Sequence, residues 1–456
     1  MPIVWAVSRV YSPRRPPVNR VILDSLYASP VPPTSRYAFW LPAVAMMLGW
    51  GLRGFIGGGP FGAMSPGAMV ALTLCLLYPR RRDTAMVAAF AAIGVGIGGE
   101  MTYGQTVGFI IKAETFWWGF LGLGLKGAIW GALAGAVISL GFTPRPMLVL
   151  GSGAVISAAT WAGWKFINEP KLIYFSHPTD KPRPEIWAGF LLAAIALVAF
   201  LGKQGKLQPA LRFSLAGFVG GFIGFGCGGA IQGLGRIFTP ELNLHWWKYM
   251  EFFFGLCFGW ALAWAWRNSD VPEEDFEENP PSLPVELAGA AAITAALFWL
   301  SWNTPVRFAY LLAGAATLYV LTKYRWLAKH VAYSITFTGF ALDLARYWSR
   351  EYKRGPAEPA YTAAVLGSFV FGYYVVKYKD DTARLLNLLT WSAVVIATVK
   401  FAIHPNGVSN VIDHVCIGFI LMAIAVSRMT RSTLDRDSCA PVSPSSSASP
   451  ASLPSS

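Results

Sequence analysis

Residues 94–109 read GVGIGGEMTYGQTVGF, and residues 224–238 read GFGCGGAIQGLGRIF. Each is a glycine ladder inside an apolar run, and the first presents Glu100, Tyr103 and Gln105 where the second has Ala230 in the place of the acid. The spacings Gly94-xxx-Gly98, Gly127-xxx-Gly131-xxx-Gly135 and Gly220-xxx-Gly224-xxx-Gly228 line small residues along one helix face, the pattern by which helices approach closely in lipid. The same stretches satisfy G-x-G-x-x-G, but neither follows a strand in a βαβ unit, so they do not read as a dinucleotide site. The reading that fits is a membrane helix interrupted by polar side chains.

The rest of the chain agrees. Hydrophobic residues make up 54% of 456 positions and charged residues only 13%, about half the charge of a soluble domain. The net charge of +13 is scattered in short clusters between apolar runs of about 20 residues, which is topology information and excludes a nucleic-acid footprint. Four of the five cysteines, Cys75, Cys227, Cys257 and Cys416, sit in apolar runs without C-x-x-C or Cys/His pairing, so neither disulfides nor zinc is indicated. No cofactor motif is present.

Apolar runs of helical length start near Tyr37, Phe61, Thr84, Phe116, Met147, Glu185, Phe213, Trp246, Leu283, Phe308, Leu327, Ala360, Leu385 and Val411. They predict an all-α polytopic membrane protein of about fourteen transmembrane helices. With the N-terminus inside, the inner segments hold Arg80, Arg81, Arg82, then Lys203, Lys206, Arg212, then Lys377, Lys379, Arg384, and Arg428, Arg431, Arg436, as the positive-inside rule expects. The cluster Arg346, Arg350, Lys353, Arg354 falls on the other side. The expected location is a bacterial inner (plasma) membrane, multi-pass, with both termini cytoplasmic.

Five segments follow: an Arg/Pro-rich N-terminal stretch (1–36), a first membrane half (37–266), an acidic linker (267–282, with RNSDVPEEDFEENPP at 267–281), a second membrane half (283–430) and a Ser/Pro-rich tail (431–456) expected to be disordered. Internal likeness, as between ISAATWAGWKFINEP (156–170), ITAALFWLSWNTP (293–305) and SAVVIATVKFAIHP (392–405), suggests three parallel four-helix repeats near 37–142, 147–266 and 283–377 plus a half repeat.

The polar residues inside these runs are the candidate site. Glu100 is costly at membrane depth and calls for a partner. Counted at 1.5 Å per residue from Thr84 it lies roughly 24 Å from the inner face, and Lys126 about 15 Å from the outer face, so a Glu100–Lys126 pair is expected, with Tyr103 and Gln105 as hydrogen-bonding neighbours. Arg53 ends a Gly/Pro-broken hairpin, LGWGLRGFIGGGP (48–60), where a guanidinium and free amides suit an anion. Arg236, near an outer boundary, is a second anion candidate, and Glu251 with Lys248 three residues before it on one helix face reads as a local ion pair. Asp343 and Arg346 have the same spacing. Trp117-Trp118 and Trp246-Trp247 read as interfacial anchors.

No H-E-x-x-H or G-x-S-x-G occurs, and a metal site is not expected. The function expected is therefore secondary transport of a small polar or anionic solute across the lipid bilayer, with Glu100 as the coupling group. The alternatives are an intramembrane enzyme acting on a lipid-linked substrate, with Glu100 as base, and a non-catalytic subunit of a membrane assembly. Oligomeric state, coupling ion and substrate are not legible.

Overall fold

The computed structural model describes residues 36–78, 84–176, 183–242, 244–269, 281–303, 309–404 and 410–439. Arg80, Arg81, Arg82, positions 270–280 of the acidic linker and positions 440–456 lie outside them. Among the described residues fifteen α-helices occur and no strand. They are α1 (Trp40–Ile56), α2 (Gly59–Leu77), α3 (Thr84–Gly98), the short α4 (Gly104–Ile110), α5 (Phe116–Leu140), α6 (Pro146–Gly163), α7 (Trp187–Lys203), α8 (Leu207–Phe238) and α9 (Trp246–Arg267). After the linker come α10 (Leu283–Asn303), α11 (Ala309–Leu321), α12 (Ile335–Arg346), α13 (Ala357–Lys377), α14 (Thr382–Ala402) and α15 (Asn410–Cys439). The last helix continues past Arg431, where the Ser/Pro-rich tail is expected to begin, to Cys439.

Six helices close a ring in the order α1, α2, α3, α5, α8, α9 and back to α1. Glycine makes the closure possible. A Cβ at Gly131 would stand 1.9 Å from the Gly217 carbonyl oxygen, one at Gly127 2.3 Å from that of Gly221, and one at Gly135 2.1 Å from that of Phe213. Rising numbers on α5 meet falling numbers on α8, so the two helices cross antiparallel with their backbones in contact. The other face of α8 does the same to α9, with Gly220, Gly224 and Gly228 against Cys257, Phe254 and Met250. Gly255 and Gly259 then seat α9 on Met46 and Pro42 of α1. Ladders read as packing surfaces thus serve as packing surfaces.

The two ladders differ in their fate. α8 runs unbroken for 32 residues, whereas α3 stops at Gly98 and gives way to tight i→i+3 bonds, Gly99 N–H to the Gly96 carbonyl and Glu100 N–H to that of Ile97. Gly99 is pressed on the α1–α2 link, where a Cβ would meet the Pro60 Cα at 2.6 Å. Glu100 therefore sits in a turn and not within a continuous helix, which overturns the depth count that pairs it with Lys126. The two units 37–142 and 147–266 also contribute unequally, since four helices of the first enter the ring but only α8 and α9 of the second do; α6 and α7 pair together outside it, where α7 lies on α5 and α8.

Helices of the second half wrap the α1–α3 side: α15 lies on α1, α14 on α1 and α2, α12 on α2 and α11 on α3. Among the described residues seven helical stretches are long and apolar enough to cross a membrane, from Gly59–Leu77 to His414–Leu434, and Trp40–Ile56, Thr84–Gly98, Trp187–Lys203, Leu283–Ile293 and Ala309–Leu321 are shorter apolar helices. The outer faces carry exposed Met147, Trp161, Ile195, Val219, Leu366, Phe369, Val395 and Leu421, a surface that water solvates poorly and lipid tails solvate well. These are the dimensions and the surface of a helical membrane protein.

Candidate functional site

The ring is filled by aromatic side chains from several of its walls. Trp50 of α1 packs edge-on to Trp130 of α5 with ring centroids 4.9 Å apart and against Phe254 of α9 at 4.5 Å, and Phe225 of α8 stacks on Phe254 at 4.7 Å. Near one end of the ring, where α1 and α3 finish and α9 begins, polar groups join them.

Arg53, one turn from the end of α1, points inward and is only 4% exposed. Its guanidinium carbon stands 5.2 Å from the Trp50 ring, 5.0 Å from Trp130 and 5.5 Å from Tyr103, a cation held by π faces. Nη1 donates to the Tyr103 hydroxyl at 2.7 Å, and that hydroxyl lies 3.5 Å from Glu251 Oε1, to which it donates. Glu251, on the second turn of α9, also accepts from Trp247 Nε1 at 3.0 Å and from Lys248 Nζ at 2.5 Å. Lys248 donates to the Gly51 carbonyl as well. Both partners of this pair are 2% exposed. The pair rests on α1 at Gly54, where a Cβ would fall 2.1 Å from a Glu251 oxygen, so the absence of a side chain there admits the carboxylate.

Two buried groups in this core have no hydrogen-bond partner, Nε1 of Trp50 and Nε of Arg53, and on α8 both polar atoms of the Gln232 carboxamide lack one as well. Trp50 and Arg53 are three residues apart on one face of α1. Gln232, fully buried, lies seven residues from Phe225 on α8 and shares its inward face. Unpaired buried polar atoms each cost about 1–3 kcal/mol, and the two at Trp50 and Arg53 are donors open to a partner's acceptor. Arg53 belongs to no ion pair among the described residues; with Lys248 and Glu251 the cluster carries one net positive charge.

The broken helix is pinned from its other side by Lys126. Its ammonium donates to the Thr102 carbonyl at 2.7 Å and the Thr106 hydroxyl at 2.8 Å, and pairs with Glu185 at 2.7 Å, not with Glu100. Glu185, just before α7, further accepts from the Phe175 amide and the Ser176 hydroxyl. Glu100 itself is half-buried in the turn, within electrostatic reach of the Tyr310 hydroxyl. Gln105 is half-buried on the first turn of α4, and Arg236 is exposed near the end of α8. Of the sequence candidates, the structure brings Arg53, Tyr103 and Glu251 into one cluster, sets Lys126 behind it, and leaves Arg236 at the surface.

Trp247 is more than an interfacial anchor, since its indole donates to Glu251 and its ring lies 5.6 Å from that of Tyr103; Trp117, 75% exposed, fits the anchoring role. Glu185 escapes a reading of the sequence for polar sites. Its only signal there is an acid placed against an apolar helix start, PEIW at 184–187.

A second polar knot lies in the other half. Glu286 of α10 pairs with Lys329 at 2.5 Å and contacts His330 Nε2 at 3.3 Å, while His330 Nδ1 meets the Ser334 hydroxyl at 3.1 Å. Asp343 pairs with Arg346 at 2.9 Å, as its spacing predicts, and also with Lys400 of α14 at 3.6 Å. Lys400 in turn donates to the Phe55 carbonyl at the end of α1, so this buried cation links α14 to α12 and α1, whereas Arg346 is 41% exposed. Against known proteins the chain matches no family model, no curated protein and no solved structure.

Proposed function

We propose that this protein is a secondary transporter of a small anionic solute, with the cluster of Arg53, Tyr103, Lys248 and Glu251 as its binding centre. One observation carries the reading: a buried guanidinium, with no carboxylate paired to it among the described residues, faces the inside of a helix ring of which one member, α3, is interrupted, beside donors that lack acceptors. Broken helices and polar centres at helix interfaces are how transporters expose a solute site without exposing backbone to lipid. A static ion pair would satisfy its own hydrogen bonds; this cluster leaves Trp50 and Arg53 wanting. On this reading Glu251, and not Glu100, takes the coupling role. The protein sits in a bacterial inner membrane with both termini in the cytoplasm, its units descended from a repeated four-helix module.

The test is flux in proteoliposomes holding the full chain, with chloride, phosphate, sulfate and pyruvate offered in turn. Saturable uptake of at least one anion is expected, abolished by Arg53→Gln and partly kept by Arg53→Lys. Absence of flux for all four anions in the wild type would sink the transporter reading.

A further inference from the structure

We infer that the solute is a small carboxylate and that Glu251 is its built-in competitor, vacating the donors when it takes up a proton. The inference rests on the transporter reading and adds to it the class of substrate and the coupling ion.

Glu251 is already a bound carboxylate. Its two oxygens divide the donors between them: Lys248 Nζ on Oε2, and Trp247 Nε1 with the Tyr103 hydroxyl on Oε1. The slot is narrow, bounded by the Tyr103 and Trp247 rings and by the bare backbone at Gly54. A planar two-oxygen group fits such a slot. A tetrahedral oxyanion presents a third and a fourth oxygen that find the α1 backbone on one side and aromatic carbon on the other. Arg53 stands on the far side of the Tyr103 hydroxyl, close enough to join an incoming carboxylate to the same donors.

Charge makes the two occupants exclusive. With Glu251 ionised the cluster has one excess positive charge; with Glu251 protonated it has two, Lys248 loses its counter-charge, and the neutral acid keeps only its carbonyl oxygen as a weaker acceptor for the donors around it. A buried ammonium left unpaired is costly, by more than a neutral donor. An entering carboxylate restores the pair, so one proton on Glu251 and one carboxylate enter together and leave together. The charged and titratable groups around Glu251 are Arg53 from α1, Tyr103 from the turn after α3, Lys248 and His245 from its own end, Arg236 beyond His245 on α8, and Lys400 from α14 behind Lys248. Of these His245, in the link before α9, is the group with an ordinary value near neutrality. Burial, and after it the nearby Lys248, push it down.

The experiment uses the full chain in proteoliposomes with labelled pyruvate outside and a trapped pH dye inside. Wild-type uptake is expected to rise at least tenfold when the outside is taken from pH 8 to pH 5.5, with one proton entering per pyruvate. Glu251→Gln, which mimics the protonated state, is expected to take up pyruvate at the acid rate at both pH values and to carry no proton. His245→Gln is expected to keep the wild-type profile. Retention of pH dependence or proton entry in Glu251→Gln overturns the inference while leaving transport intact, as does its loss in His245→Gln or a wild-type preference for phosphate or sulfate over pyruvate. Should Glu251→Gln not be recovered folded, the wild-type proton-to-pyruvate ratio decides alone, a ratio of zero overturning it. Absence of flux with every anion removes the transporter reading first.

Discussion

At the scale of single residues the centre combines stabilising and costly contacts in one place. The Lys248–Glu251 pair is buried on both sides, and removing one partner leaves a lone charge in a medium that cannot solvate it. Lys248→Met is expected to cost about 3–5 kcal/mol, read as a lower midpoint in denaturant titration of the detergent-solubilised protein. The double variant Lys248→Met with Glu251→Leu removes both charges and is expected to recover most of that loss. Recovery of less than half would mean that Glu251 is held chiefly by Trp247 and Tyr103. The residues of this cluster are partly legible in the sequence. Arg53, Tyr103 and Glu251 stand out because charge and phenol are rare in apolar runs, yet nothing in local spacing joins positions 53, 103 and 251. Lys126 visibly needs an acid, but depth along the chain points to Glu100. Its true partner, Glu185, is brought to it by the stretch of chain leading into α7, which binds Thr106 through the Phe175 carbonyl.

At the scale of elements the controlling contacts are those where backbone meets backbone. The α5–α8 crossing tolerates no side chain at Gly131, because a Cβ would overlap the Gly217 oxygen. Gly131→Val is expected to destabilise the ring by about 1–3 kcal/mol or more and to lower the yield of monodisperse protein in size-exclusion chromatography. Gly418→Ala on α15 is the matching control, since nothing stands within 4 Å of a Cβ there, and a helical Gly→Ala change in open space is neutral or mildly stabilising. Equal behaviour of the two variants would show that helix propensity and not the crossing is being measured. The helices are readable in the sequence, because each predicted apolar run falls on helical residues, but their starts less so: α8 begins at Leu207 and not near Phe213, and α12 at Ile335 and not near Leu327. The end of α3 is not readable. A count of 1.5 Å per residue presumes an unbroken helix, and the glycines that permit the turn at Gly99 look in sequence like the glycines that pack α8.

For the whole molecule the question is which end of the ring faces which compartment. α8 is the natural ruler: at 32 residues it extends about 48 Å, enough to carry its ends to opposite faces of a bilayer. The cytoplasmic assignment of its first end rests on Lys203 and Lys206, both near the surface. Arg212, which the charge pattern groups with them, is buried on the helix at 1% exposure and cannot act as a loop charge. At the cluster around Arg346, Arg346 pairs with Asp343 but is 41% exposed, and Arg350, Lys353 and Arg354 are exposed as well, so this cluster still runs against the charge pattern. Gln204 and Glu241 flank α8 and are both exposed, so single cysteines there report the two faces. In a cysteine-free background, Glu241→Cys is expected to react with a membrane-impermeant maleimide in intact cells, and Gln204→Cys only after the membrane is permeabilised. The reverse pattern would place the Arg53–Glu251 cluster near the cytoplasmic face. Proton-driven uptake would then become proton-driven export, since the protonation of Glu251 would draw on the cytoplasmic pool. Labelling of both from outside would mean that α8 does not cross, and the ring would have to be re-sited in the membrane.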